Sequence, residues 1–136
     1  MSQENVDLLR RMIETFNRGD LEAVIALADP PAEFEFVPSG VVIPDLADVQ
    51  RGADAVRRVA EVFWGEFDNP RFDAHEYIDA GDHVFVWTTL EGRGKHSGAE
   101  TSWDVWSVWT VRDGRMVRWQ TFTTRDAALN AAGLRE

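Results

Sequence analysis

No cysteine occurs anywhere in the chain, and that absence removes disulfides, thiolate nucleophiles and Cys-ligated metals together. Basic runs are missing too. A formal net charge of −10 over 136 residues leaves no surface for a polyphosphate, because affinity for nucleic acid rests on Lys and Arg contacts. The nearest approaches to a basic cluster, Arg10-Arg11 and Arg57-Arg58, sit among acids on helical patterns and read as solvated helix faces. The same deficit disfavours an anionic membrane surface. No apolar run approaches the length of a membrane span. The opening "MSQENVDLL" has no basic segment followed by an apolar stretch, so the expected location is cytoplasmic. His75, His83 and His96 share no ligand spacing, and "EGRGKHSG" holds glycines without Walker spacing or a strand-to-helix context. The sequence therefore predicts no metal, no cofactor, and neither a nucleic-acid nor a membrane partner.

What is present is aromatic and unevenly so: six Trp and eight Phe against one Tyr. Large rings with few polar handles suit a thick core or a deep apolar cavity. With 44% hydrophobic and 28% charged residues, the length implies one domain over residues 1–136. Val6, Leu9, Ile13 and Phe16 recur at helical spacing, predicting a helix over about 4–18 that "NRGD" stops. Asp20 suits the cap of a second helix over about 20–28. "AEFEFV" alternates and predicts a strand at about 32–37. Residues 38–51, with two prolines and no period, read as a loop and a candidate lid. A third helix over about 53–67 would carry Val56, Val59, Ala60, Phe63 and Phe67 along one side. Strands follow at about 71–80, 83–93, 100–112 and 115–123, the last two hinged by Asp113-Gly114, and a helix over about 124–132 capped by Thr124.

The stretch "TSWDVWSVWTV" places Trp103, Trp106 and Trp109 three apart, which a helix would gather into one stripe. Its β-branched residues and the Asp-Gly hinge after it make it a strand instead. Trp106 then points away from Trp103 and Trp109, so both faces of the sheet need cover.

The order helix, helix, strand, helix, then a four-strand meander resembles the nuclear-transport-factor-2-like superfamily, in particular its SnoaL-like bacterial members. The resemblance runs over nearly the whole chain and is carried by "FNRGDLEAVIALADP" (16–30), "RGADAVRRV" (51–59), "DAGDHVFV" (79–86), "VWTVRDGRMVRW" (108–119) and "DAALNAAGLRE" (126–136). It implies an α+β fold, a cone-shaped curved mixed or antiparallel sheet wrapped around three N-terminal helices, with a short C-terminal helix. The fold hosts isomerases, cyclases, dehydratases, epoxide hydrolases and non-catalytic binders, so it does not name an activity. Matched to the ketosteroid isomerase branch, the resemblance implies an apolar pocket inside the cone. Its lining would be Met12, Phe16, Phe34, Phe36, Phe85, Trp87, Thr89, Val105, Ser107, Trp109, Val117, Trp119, Thr121 and Thr123. Val84, Val86, Leu90, Trp106 and Val108 would then form an apolar convex face, which a homodimer would cover.

The isomerase branch works with a carboxylate base, a tyrosine and a protonated aspartic acid. The matching positions here are Phe34, Met12 and Ser107, and none can do the original work. Where cyclase-like members often place an acid, this chain has Thr121. On strand parity Glu91 is the one carboxylate on the side assigned inward, a weak candidate for a general acid or base, with solvated Glu91 as the alternative. His83 reads as an edge residue, and Asp45 and Asp48 lie in the candidate lid. Two readings of the function stay open. One is a pocket for a small apolar or ring-containing molecule, with cofactor-free isomerisation, cyclisation or dehydration as the chemistry of any enzyme built on it. The other is a non-catalytic carrier, sensor or dimeric interaction module. The alternative is that the rings fill the cone, in which case buried hydroxyls at Ser107 and Thr121 would need partners.

Overall fold

The computed structural model describes residues 2–39 and 46–134. The elements run α1 (Ser2–Asn17), α2 (Leu21–Ala28), β1 (Glu35–Val37), β2 (Gln50–Arg51), α3 (Ala55–Glu66), β3 (Phe67–Ala80), β4 (His83–Gly94), β5 (Glu100–Arg112), β6 (Arg115–Phe122) and α4 (Arg125–Ala131). One six-stranded sheet forms in the order β2-β1-β6-β5-β4-β3. Only β1 against β6 is parallel; the remaining pairs are antiparallel. This is the α+β architecture expected, with a mixed sheet around the N-terminal helices and a short helix at the end. Among the described residues no helix is long and apolar enough to cross a membrane.

Local chemistry sets the boundaries. The Asp20 side chain accepts from the Ala23 amide at the start of α2, and Thr124 does the same for Ala127 at α4. Asp113 and Gly114 both hold positive φ, 53° and 73°, which the tight turn between β5 and β6 requires. The third helix ends one residue earlier than its periodicity suggests, because Phe67 already opens β3. Residues 38–51 are not wholly loop. Leu46 is fully buried in the core, and Gln50 and Arg51 pair with β1. Residues 40–45, most of the candidate lid, lie outside the described residues.

The sheet curves, and among the described residues its register shifts at three places, between Asp68 and Arg71 and at two others that bear on the site. In β3 the register slips between Ala74 and Glu76, so an extra residue, His75, is accommodated on the outer side. Asn17 at the end of α1 covers this edge strand, donating to the Phe72 carbonyl at 2.8 Å and accepting from its amide at 2.9 Å. Between β5 and β6 the register shifts after Thr110, which turns Met116 into the core and leaves Val117 half-buried outside it. The inward assignment of Val117 therefore fails at a bulge, and that of Thr123 fails because β6 has ended and Thr123 is exposed.

Two separate apolar clusters result, one on each face of the sheet. On the concave face α1, α2 and α3 pack against Val84, Val86, Leu90, Trp109, Val111, Met116 and Trp119. On the convex face Phe85 and Val108 pack against Ala128, Leu129 and Ala132 at α4. A bidentate Arg125–Glu76 pair, with the Arg125 guanidinium 5.2 Å from the Phe85 ring centre, fastens α4 there.

These clusters correct the expected face of β4. Val86 pairs with Ser107, Val84 with Trp109 and Thr88 with Val105, and directly paired residues share a face. Since Val105, Ser107 and Trp109 do face in, their partners Val84, Val86 and Thr88 must as well. Phe85, Trp87 and Thr89 point to the convex side. The apolar face assigned to a homodimer accordingly loses Val84, Val86 and Leu90 to the inner core. Val108 is covered by α4, and Trp106 remains half-buried on the convex face. Among the described residues Val49 is the one exposed large apolar side chain.

Candidate functional site

Between the helices and the concave sheet lies a cavity of about 60 Å³. Helix α1 contributes Leu9, Met12, Ile13 and Phe16, and α2 contributes Val24. The apolar stripe of α3 supplies Val56, Val59, Ala60 and Phe63. The sheet closes it with Phe72, Val86, Thr88, Val105, Ser107, Trp109 and Trp119. At one end Phe16, Phe63 and Phe72 meet edge to face or tilted, with ring centres 5.1 to 6.3 Å apart. Trp109 and Trp119, paired across β5 and β6, stack at 4.4 Å and 10°.

Polar atoms are few. The Trp109 indole N–H donates to Ser107 Oγ at 3.1 Å, and that hydroxyl leans weakly on the Val86 carbonyl at 3.4 Å. Thr88 adds a second hydroxyl-bearing side chain to the wall. The Trp119 indole nitrogen is buried with no acceptor among the described residues. Leaving such a donor unpaired costs on the order of 1–3 kcal/mol. Among the described residues the wall carries no Asp, Glu, His, Lys, Arg or Tyr.

Of the residues expected to line a pocket, Met12, Phe16, Val105, Ser107, Trp109 and Trp119 are brought together around this cavity. Phe34 and Phe36 are fully buried beside it but are not part of its wall; Phe36 backs the Trp119 ring at 4.6 Å. Thr121 turns to the chain instead, accepting from the Ser39 amide at 2.8 Å and donating to the Ser39 carbonyl at 3.0 Å. Phe85 and Trp87 lie on the opposite side of the sheet. Glu91 shares their side and is exposed, so it cannot act as an acid or base inside the cavity. His83 bonds Thr110 at 3.0 Å, half-buried near the β3–β4 turn. Asp48 is exposed, and Asp45 lies outside the described residues. Thr88 and the α3 residues were not placed in the pocket from the sequence; the α3 periodicity was the signal available for the latter, and the pairing register for Thr88.

The groups whose titration the fold perturbs stand away from the cavity wall. Burial pushes the Tyr77 phenol up, opposed by the Arg10 guanidinium 4.5 Å above its ring. A hydrogen bond and the charge of Arg57 hold the exposed Glu22 carboxyl below its usual value. Among the described residues no three His, Asp or Glu gather in a way that would hold a metal ion.

The family model of the SnoaL-like domain matches residues 9–119. No curated protein shows significant sequence similarity to the chain. Solved structures do share the fold. A protein with a ketosteroid isomerase-like fold from Catenulispora acidiphila, in complex with trimethylamine, is 14% identical, with a TM-score of 0.71 and coverage of 94% of this chain and 93% of its own. TerC, co-crystallised with polyporic acid, is 21% identical over 95% of this chain and 98% of its own, TM-score 0.73. An NTF2-like protein from Burkholderia thailandensis is 24% identical over 96% and 97%, TM-score 0.74. At these identities the likeness concerns the fold.

Proposed function

Since the chain belongs to the SnoaL-like domain family, a fold that carries many activities, we propose that its cavity binds a small, uncharged, mainly apolar molecule without transforming it. One observation carries this reading: among the described residues the cavity wall holds no ionisable side chain. Isomerisation, cyclisation and dehydration by cofactor-free proton transfer need a group that gains or loses a proton near the working pH. Ser107 and Thr88 are neutral hydroxyls, and Ser107 is already engaged by Trp109 and Val86. Affinity would come from apolar contact, with aromatic walls and a few polar atoms for orientation. That one protein of the same fold is in complex with trimethylamine and another was co-crystallised with polyporic acid supports a ligand-binding role.

Size narrows the class. An engineered cavity of roughly 150 Å³ takes benzene or xenon, and this one is smaller, so roughly two or three heavy atoms fit as the walls stand and a five-membered ring enters with a small repacking of them. A tryptophan-fluorescence titration with cyclopentane and larger ring hydrocarbons tests the proposal. Saturable change that Trp119→Phe blunts, and that Glu91→Gln leaves untouched, is the expected result. No response to any of them would overturn it.

Self-association is the second reading, favoured by one observation on the convex face. The Trp87 indole nitrogen is buried without an acceptor among the described residues, beside the half-buried Trp106 with which it pairs across β4 and β5. A second copy seated there would cover both rings. Sedimentation equilibrium over a hundred-fold concentration range decides it, and a monomer throughout removes it.

A further inference from the structure

We infer that the occupant of this cavity presents one uncharged hydrogen-bond acceptor, an ether, ketone or ester oxygen, to the indole N–H of Trp119. The inference rests on the cavity being a ligand site, as proposed above, and adds what the ligand must carry. Trp109 and Trp119 form a stacked pair in the same wall, yet their donors differ. The first is satisfied internally by Ser107, whereas the second has no acceptor among the described residues. Trp119 is only 7% exposed, so bulk water does not replace the missing partner. Its ring neighbours, the stacked Trp109 and the tilted Phe36, carry no acceptor oxygen in their rings.

The chemistry of the wall then sets the ligand's charge. A carboxylate would also accept from Trp119, but among the described residues the wall has no cation to balance it. An ammonium group would find no carboxylate, and it would bring donors to a site whose unmet need is an acceptor. A neutral oxygen on a compact apolar frame meets both conditions.

The test uses the full chain labelled with 15N and two near-isosteric probes, tetrahydrofuran and cyclopentane, which differ by an oxygen for a methylene. The Trp119 indole signal is identified by its loss in Trp119→Phe. Both probes should bind saturably, and tetrahydrofuran alone should move that signal downfield. Trp119→Phe should weaken tetrahydrofuran ~10-fold, since one hydrogen bond is worth about 1 kcal/mol or somewhat more. The space opened by the smaller ring acts on both probes alike, so this ~10-fold loss is read relative to the change in cyclopentane affinity. Equal binding with the same indole shift for both probes would overturn the acceptor inference and leave the cavity reading standing. Binding of neither would overturn the cavity reading itself. Where the variant folds poorly, the difference in wild-type indole shift between the probes decides the matter alone.

Discussion

Adding one methylene to Val59 separates an open cavity from a filled cone. Val59 is 1% exposed, lies on the α3 stripe and forms part of the cavity wall. Ile keeps its β-branched shape and differs little in helix propensity. If the space is empty, Val59→Ile buries one more methylene at about 0.8 kcal/mol of stabilisation. It also removes part of the cavity's own cost, which at about 24 cal/mol per Å³ comes to roughly 1.4 kcal/mol for the whole 60 Å³. The net expectation is a gain of about 1 kcal/mol, or a rise in Tm of about 3 °C for a domain of this size. Cyclopentane binding should weaken at least ~5-fold, because the probe and the new methyl compete for the same volume. Thermal unfolding followed by circular dichroism, with and without cyclopentane, reads both effects. A close-packed interior answers with the opposite sign, since overpacking costs about 1–3 kcal/mol. A lowered Tm for Val59→Ile would refute the reasoning.

Other consequences follow from the two-cluster architecture and from Tyr77. Leu129→Ala on α4 should cost about 2–5 kcal/mol and lower Tm by about 6–15 °C, because Leu129 is buried against the convex face. It should leave cyclopentane affinity within about two-fold below the new Tm, since the intact sheet separates the clusters; a larger change would mean that they are coupled. The raised Tyr77 phenol keeps its proton in the folded state after the unfolded chain has lost it near pH 10. Its contribution is therefore complete below that pH and is lost as pH rises towards the folded-state value. Tyr77→Phe should flatten the wild-type decline in urea stability above pH 10, and parallel curves would show that Tyr77 is not its source.

The order of elements was legible because its signals are local: the Asp20 and Thr124 caps, the Asp113-Gly114 hinge, and the 3.6-residue stripes of α1 and α3. The strand character of residues 101–111 was legible for the same reason, and with it the opposed directions of Trp106 and Trp109. The face of β4 was not. Val84, Phe85, Val86 and Trp87 are apolar in succession, so alternation offers no choice, and the decision falls to the pairing register with β5. Val117 was misassigned for a related reason, because a bulge shifts parity without leaving a mark in its own residues. The polar economy of the cavity was half legible. That the isomerase-type acids are absent could be read from Phe34, Met12 and Ser107. That Thr121 spends its hydroxyl on Ser39, while Trp119 keeps an unpaired donor, depends on long-range contacts that no pattern encodes.

The central claim is an open apolar cavity between α1, α3 and the concave sheet, and xenon tests it most directly because it needs only space and polarisable walls. A crystal pressurised with xenon should show one ordered atom in contact with Met12, Val59, Ser107 and Trp109, on the helix side of the sheet. Anomalous density that is absent there, or found only on the convex face near Trp87, would contradict the account.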